Sequence, residues 1–289
     1  MHLLRRFFAT LLATATGWAL ALPAAADAPR NWQLGFQTPA SPVAEQISQL
    51  HTLVLWIVTI ITVFVAALLV YVAWRFSAKR NPTPSRLSHH TGLEIAWTVI
   101  PVLILVVIAI PSFRLVYFED RTHNADMTIK VVGHQWYWEY IYPESGNLNF
   151  RSDYIRDEDL KPGQKRLLDV DNPLVLPVGK NVRILTTSAD VIHSFYIPAL
   201  GVQRYSIPGR TIETWVRIDR AGTYYGECNQ ICGTNHSFMP IAVNAVAPDA
   251  FLAWEKAAKA KFAAGEPIPA AGATPGTAPA SMRVAQAQH

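Results

Sequence analysis

The sequence predicts a membrane-anchored all-β protein, a hairpin of two transmembrane helices followed by an extracytoplasmic β-barrel or sandwich. Two uncharged apolar runs carry the first half of this reading, Leu53 to Trp74 with 22 residues and Ile95 to Phe113 with 19. Beyond residue 119 the apolar residues instead fall in short β-branched and aromatic runs broken by Gly and Pro. The composition agrees: of 289 residues 51% are hydrophobic and only 16% charged, against about 25% charged in soluble domains.

The chain opens with Arg5 and Arg6, an apolar stretch from Phe7 to Leu22, and Ala-Ala-Ala at 24 to 26, the pattern of a secretory signal peptide over 1–26. An extracytoplasmic segment, 27–45, follows. Residues 46 to 74 contain no Asp, Glu, Lys or Arg. At about 1.5 Å per residue, even the central run crosses the roughly 30 Å of bilayer hydrocarbon. The hairpin is expected over 46–118, with helices at about 47–75 and 93–113. Pro101 and Pro111 in the second helix are tolerated where neighbouring helices satisfy the freed carbonyls, so this helix is expected to pack against a partner. Arg75, Lys79, Arg80 and Arg86 lie between the helices without an acidic residue among them, which puts that loop in the cytoplasm and the rest of the mature chain outside.

From 119 to 262 strand-like runs appear at Thr128 to Val132, Trp136 to Tyr142, Asn181 to Thr187, Glu213 to Ile218, Gly222 to Tyr225 and Pro240 to Val246. Residues 250 to 262 suit a short helix, and 263–289 is an Ala/Pro-rich tail of disordered composition. The formal charge of +4 does not indicate a nucleic-acid partner. Residues 119 to 289 hold 17 Lys+Arg and 18 Asp+Glu, net −1, whereas upstream there are 8 basic and 3 acidic residues, net +5. The basic excess is therefore a topology signal.

Only two cysteines occur, in Tyr225-Gly-Glu-Cys228-Asn-Gln230-Ile-Cys232-Gly-Thr-Asn-His236-Ser-Phe-Met239. A Cys228–Cys232 disulfide in an oxidising compartment is one reading, with His236 and Met239 as ordinary surface and core residues. The spacing Cys-x3-Cys-x3-His-x2-Met also offers two thiolates, an imidazole and a thioether, the set that soft, redox-active copper prefers; structural zinc has no need of the methionine. His193, in Asp190-Val-Ile-His193-Ser-Phe, supplies a second imidazole. Copper gives all these residues a role.

Five motifs then follow one another: Leu93-Glu94-Ile-Ala-Trp97-Thr-Val-Ile-Pro101, Gly133-His-Gln-Trp136-Tyr-Trp138, Asp190-Val-Ile-His193-Ser-Phe, Ile207-Pro-Gly-Arg210 and the cysteine segment. With the two-helix hairpin before them, they make nearly the whole mature chain resemble subunit II of the haem–copper cytochrome c oxidases, of the bacterial aa3 type. The resemblance implies a cupredoxin-like β-barrel or sandwich carrying the binuclear copper centre CuA. Cys228 and Cys232 would bridge two coppers, His193 and His236 would each bind one, and Met239 and the backbone carbonyl of Gln230 would be further ligands. The family commonly has a glutamate at the position of Gln230, whose carboxylate joins a Mg or Mn site shared with subunit I; an uncharged amide would ligate more weakly. The resemblance further implies a proton-translocating oxidase complex in the bacterial inner membrane, with this domain in the periplasm. Its partners would be subunits I and III and cytochrome c.

Trp136 matches the exposed tryptophan at which the family takes electrons from cytochrome c, although it reads equally as an ordinary strand residue. The stretch 139–159 has six acidic residues, Glu139, Glu144, Asp153, Asp157, Glu158 and Asp159, against Arg151 and Arg156. It could be a solvated loop or an acidic face that steers a lysine-rich donor. Glu94, in Glu-x-x-Trp97, matches the glutamate at the mouth of a proton pathway into subunit I. His89, His90, His123 and His134 lack metal-like partners and are expected to be solvated or capping. The absence of Cys-x-x-Cys-His argues against a fused c-type haem, so the donor would be a separate protein.

Overall fold

The computed structural model describes residues 28–120, 122 and 124–262. The expected signal peptide, His123 and the expected tail lie outside the described residues.

The first helix, α1 (Pro42–Arg75), begins ahead of the uncharged run because Ser41 caps it: the Ser41 Oγ accepts from the Ala44 N–H at 3.1 Å, and Pro42 at the first helical position has no N–H to satisfy. The second, α2 (Thr91–Asp120), continues past the apolar run to a polar end and includes Pro101 and Pro111. With mean hydropathies of 3.0 and 2.6 and both apolar segments unburied by the chain itself, the two helices are built to face lipid or other proteins. The loop between them carries the basic residues, with Arg80 stacked 4.3 Å over the Trp74 ring. At the start of α2, His90 Nδ1 accepts from the Leu93 N–H, so this histidine is a cap as expected.

The β region is a sandwich. One sheet holds β1 (Met127–His134), β2 (Tyr137–Tyr142), β3 (Leu148–Ser152), β5 (Asn181–Ser188) and β8 (Ile212–Arg217), in the order β3-β2-β1-β5-β8. The other holds β4 (Leu174–Pro177), β6 (His193–Ile197), β7 (Val202–Ser206), β9 (Gly222–Cys228) and β10 (Ile241–Val246), in the order β4-β10-β9-β6-β7. Most neighbours are antiparallel; β1–β5 and β10–β4 are parallel, so each sheet closes by a crossover. Strict alternation of burial along β5 shows one face turned inward. The core is filled by Ile129, Trp138, Tyr140 and Ile184 from one sheet and by Leu174, Phe195, Ile197 and Ile241 from the other. At one end of the sandwich α3 (Pro248–Phe262) closes the core, stacking Phe262 on Phe150 at 4.7 Å and Trp254 against Tyr142 at 5.2 Å.

The helices are keyed to the sandwich by specific bonds. Ser41 Oγ also donates to the Leu200 carbonyl, and the Ala40 N–H donates to that of Ala199. Arg204 on β7 pairs with Glu119 at 2.7 Å and Asp120 at 2.6 Å, while Trp215 Nε1 on β8 donates to the Phe118 carbonyl. Helix ends and sheet edge are thus held in one orientation.

Candidate metal centre

At the end of the sandwich opposite α3, three segments converge. β1 ends at His134, the segment after β5 runs through Asp190 to His193, and β9 ends at Cys228; pairing of Phe195 with Cys228 brings the start of β6 beside the cysteine loop. Gly133 faces the His193 ring so closely that a Cβ there would lie 2.8 Å from the imidazole Cδ2. Glycine at this position is what lets the imidazole lie against β1. Trp138, fully buried, presents its ring edge to His193 and donates Nε1–H to the Met239 carbonyl at 3.1 Å, fixing the far side of the loop.

The donor atoms come together inside this frame. Both cysteines are free, with their sulfurs 3.8 Å apart. His193 Nδ1 lies 3.8 Å from Cys228 Sγ, and His236 Nδ1 lies 3.5 Å from Cys232 Sγ. Met239 Sδ is 3.6 Å from Cys232 Sγ, and the Gln230 carbonyl oxygen is 3.3 Å from Cys228 Sγ. His193, Cys228, Cys232 and Met239 are buried, while His236 and Gln230 are half-buried, so the centre opens outward along His236. Burial pushes the Cys228 thiol up, but its contacts with His193 and the neighbouring backbone reverse this and leave it below the ordinary thiol value. Cys232, beside it, is pushed up to about 12 by burial and by Cys228. Each sulfur so close to the other disfavours the second thiolate, and a bound cation would relieve that repulsion. Soft sulfurs, two imidazole nitrogens and a thioether fit copper, and no side-chain rearrangement is needed to gather them.

Electron-rich aromatics adjoin the centre. Trp136 lies in the turn between β1 and β2, not within a strand, and is half-buried where an exposed residue was expected. Its indole packs against Gly233, where a Cβ would come within 2.9 Å of the ring, and its Nε1–H donates to the Cys232 carbonyl at 3.3 Å. The same carbonyl accepts from Gln135 Nε2 at 2.7 Å. His134 departs from the expected solvated or capping role: it is buried, pairs through Nε2 with Glu139 at 2.9 Å and stacks on Tyr137. Glu139 therefore does not belong to an acidic surface. Of the other acidic residues in that stretch, Asp153 is tied to Arg151, Glu158 and Asp159 to Arg156, and Asp157 to Arg166. Arg151 and Arg156 already count in the composition, so the pairing adds only Arg166 to the balance and leaves the stretch net acidic. Glu94 is exposed on the first turn of α2, separated from the sandwich by about 40 Å of helix at 1.5 Å per residue, and is no part of this centre.

Comparison with known proteins matches both halves of the chain. The family of the cytochrome C oxidase subunit II transmembrane domain covers residues 29–115, and that of its periplasmic domain covers 127–246. The "Probable cytochrome c oxidase subunit 2" of Rickettsia bellii is 52% identical over 83% of this chain and 88% of its own length. The chain belongs to the cytochrome c oxidase subunit II family. Among other members of that family, the "Cytochrome c oxidase subunit 2" of Oenothera berteroana is 46% identical over 79% of this chain and 91% of its own length. The crystal structure of the periplasmic domain of subunit II of cytochrome oxidase from Bradyrhizobium japonicum is 46% identical, with a TM-score of 0.46, over 49% of this chain and 99% of that one. As a subunit II, the chain is a membrane-anchored component of a cytochrome c oxidase, an oxidoreductase complex, and its cysteine–histidine cluster is consistent with that family's copper site.

Within the subunit II chain, sequence reasoning named the donor residues but passed over what orients them. Gly133, Gln135 and Trp138 all meet neighbours distant in sequence, and Asp190 meets both the distant Gln135 and the nearby His193. The one local signal was that Asp190 stands three residues before His193, a spacing that permits a carboxylate–imidazole contact.

Proposed function

We propose that this chain is the electron-accepting subunit of its oxidase, with Cys228 and Cys232 bridging two coppers, His193 and His236 each binding one, and Met239 and the Gln230 carbonyl completing a CuA centre. The observation that carries this reading is the pair of free sulfurs 3.8 Å apart, each facing its own imidazole Nδ1. Copper held there by the two sulfurs and the two imidazoles would supply one-electron chemistry. The residues do the rest. A buried sulfur pocket braced by Trp138 would resist rearrangement when the charge of the centre changes, and the half-buried His236 lies on its surface side.

The donor in this reading is cytochrome c, docking near Trp136, whose indole reaches the Cys232 carbonyl through a single hydrogen bond. The acceptor is haem in subunit I, where oxygen is reduced to water as protons are pumped, and subunit III completes the assembly. The exposed apolar flanks of α1 and α2 suit packing against those subunits and lipid in a bacterial inner membrane, with the sandwich in the periplasm and the basic loop in the cytoplasm. Residues 1–26 serve as the signal peptide. Glu94, exposed on that loop side, is assigned to the mouth of the proton pathway. The neutral Gln230 amide makes a shared Mg or Mn ion a weakly held one.

The test is metal analysis of the purified oxidase together with the EPR of this centre. Two coppers on this subunit and hyperfine structure from two equivalent nuclei are expected. A single copper nucleus in the hyperfine pattern would overturn the binuclear reading.

A further inference from the structure

The proposed function gives the surface carboxylate of Asp190 no role, and its bonding is unusual. Oδ1 lies 2.9 Å from Nε2 of the completely buried His193. A neutral imidazole has one N–H, and a carboxylate can only accept; the proton therefore lies on Nε2, and the Nδ1 lone pair is left facing Cys228 Sγ. His236 has no such carboxylate among the described residues. The other oxygen, Oδ2, accepts from the backbone N–H of Gln135 at 2.6 Å, and Gln135 is the first residue of the turn that carries Trp136. Through its side chain and the Trp136 indole, that turn donates in its own right to the Cys232 carbonyl. The carboxylate is itself held by the Val191 N–H at 2.6 Å and Ser188 Oγ at 3.3 Å. A closed circuit results, running from Asp190 through the Trp136 turn to the cysteine loop and back through His193.

We propose that Asp190 is a positioning residue that sets a copper ligand and the electron-accepting turn in one register, Oδ1 orienting His193 and Oδ2 anchoring the backbone under Trp136. This rests on the copper reading above. Its chemistry is specific to a carboxylate. Two donors approach from different sides, and an amide offers one acceptor oxygen and an NH2 that would face the other donor. A carboxylate behind a ligating imidazole also makes the ring a more electron-rich ligand, which favours the oxidised metal.

The experiment compares Asp190→Asn and Asp190→Ala in the intact oxidase. It reads the midpoint potential of the copper centre, the ligand-nitrogen couplings by electron–nuclear double resonance, and the rate of copper reduction by cytochrome c. Both variants should bind copper with a raised midpoint potential and an altered coupling for one nitrogen. Reduction by cytochrome c should slow by about 10- to 100-fold in Asp190→Ala, as for other outer-shell partners, and less in Asp190→Asn, which keeps one of the two anchors. Unchanged potential and couplings in both variants would overturn the proposal, as would an altered potential with an unaltered rate in Asp190→Ala. A parent oxidase without the two-copper signal would instead defeat the underlying copper reading, so the two failures are distinct.

Discussion

At the scale of single residues, the centre depends as much on an absent atom as on those present. Gly133 has no side chain to contribute, yet a methyl group at this position would lie 2.8 to 3.1 Å from three atoms of His193. The ring packs against Trp138, which itself packs against Phe195, and it cannot retreat without disturbing the core. Gly133→Ala should therefore leave the sandwich folded, at an overpacking cost of about 1–3 kcal/mol, while lowering copper affinity by about tenfold or more through a displaced imidazole. Copper retention during dialysis against a graded chelator series measures this; retention equal to that of the parent protein would show that the close approach is not needed.

At the scale of elements, the β1–β2 hairpin decides how Trp136 is presented. Its turn is braced on one side by the buried His134–Glu139 pair, with Asn149 Nδ2 donating to the second Glu139 oxygen at 2.7 Å. On the outside Arg151 lies 3.7 Å over the Tyr137 ring that stacks on His134. Burial alone would push the Glu139 carboxyl up, but the bonds from His134 and Asn149 outweigh it and hold the carboxyl below its ordinary value. A group depressed on folding stabilises the native state above its unfolded pKa, about 4.3 for glutamate, and that stabilisation is lost as the pH falls through the folded value. Melting temperature should thus drop between about pH 5 and pH 3, and Glu139→Gln should flatten this acid limb while lowering stability at neutral pH. An unaltered acid limb in Glu139→Gln would remove the pair from this role.

At the scale of the whole molecule, two proposed functions sit at opposite ends of one rigid frame. Trp136 touches the cysteine loop, whereas Glu94 stands on the loop-side turn of α2, whose far end is locked to the sandwich by Arg204, Glu119 and Asp120. Separation by about 40 Å of helix predicts separable defects. Trp136→Ala should slow reduction of the centre by cytochrome c at least tenfold while its spectrum and copper content stay unchanged; a normal rate would dismiss the tryptophan as the point of transfer. Glu94→Ala should leave the same reduction step intact and reduce steady-state turnover, and full turnover would exclude it from proton uptake. Stopped-flow reduction and oxygen consumption, measured on both variants, distinguish the two roles.

The hairpin was legible in the sequence because an uncharged run of about 20 residues has few stable fates besides a membrane helix, in which every backbone group bonds within the segment. The cysteine loop was legible for a similarly local reason, four soft donors within a dozen residues. Neither depends on distant partners. The short strands Leu148–Ser152, Leu174–Pro177, His193–Ile197 and Val202–Ser206 escaped, since their extended state is set by the neighbours they pair with and not by their own pattern. The charge of residues 139–159 could be counted, but only folding showed Glu139 buried against His134, and Asp153, Asp157, Glu158 and Asp159 held in ion pairs with Arg151, Arg156 and Arg166. The sequence by itself determined the membrane anchor and the donor atoms. Tertiary structure decided that the sulfurs stand unbonded, that Trp136 occupies a turn against the cysteine loop, and that Asp190 links both, because orientation is set by contacts between segments up to about a hundred residues apart.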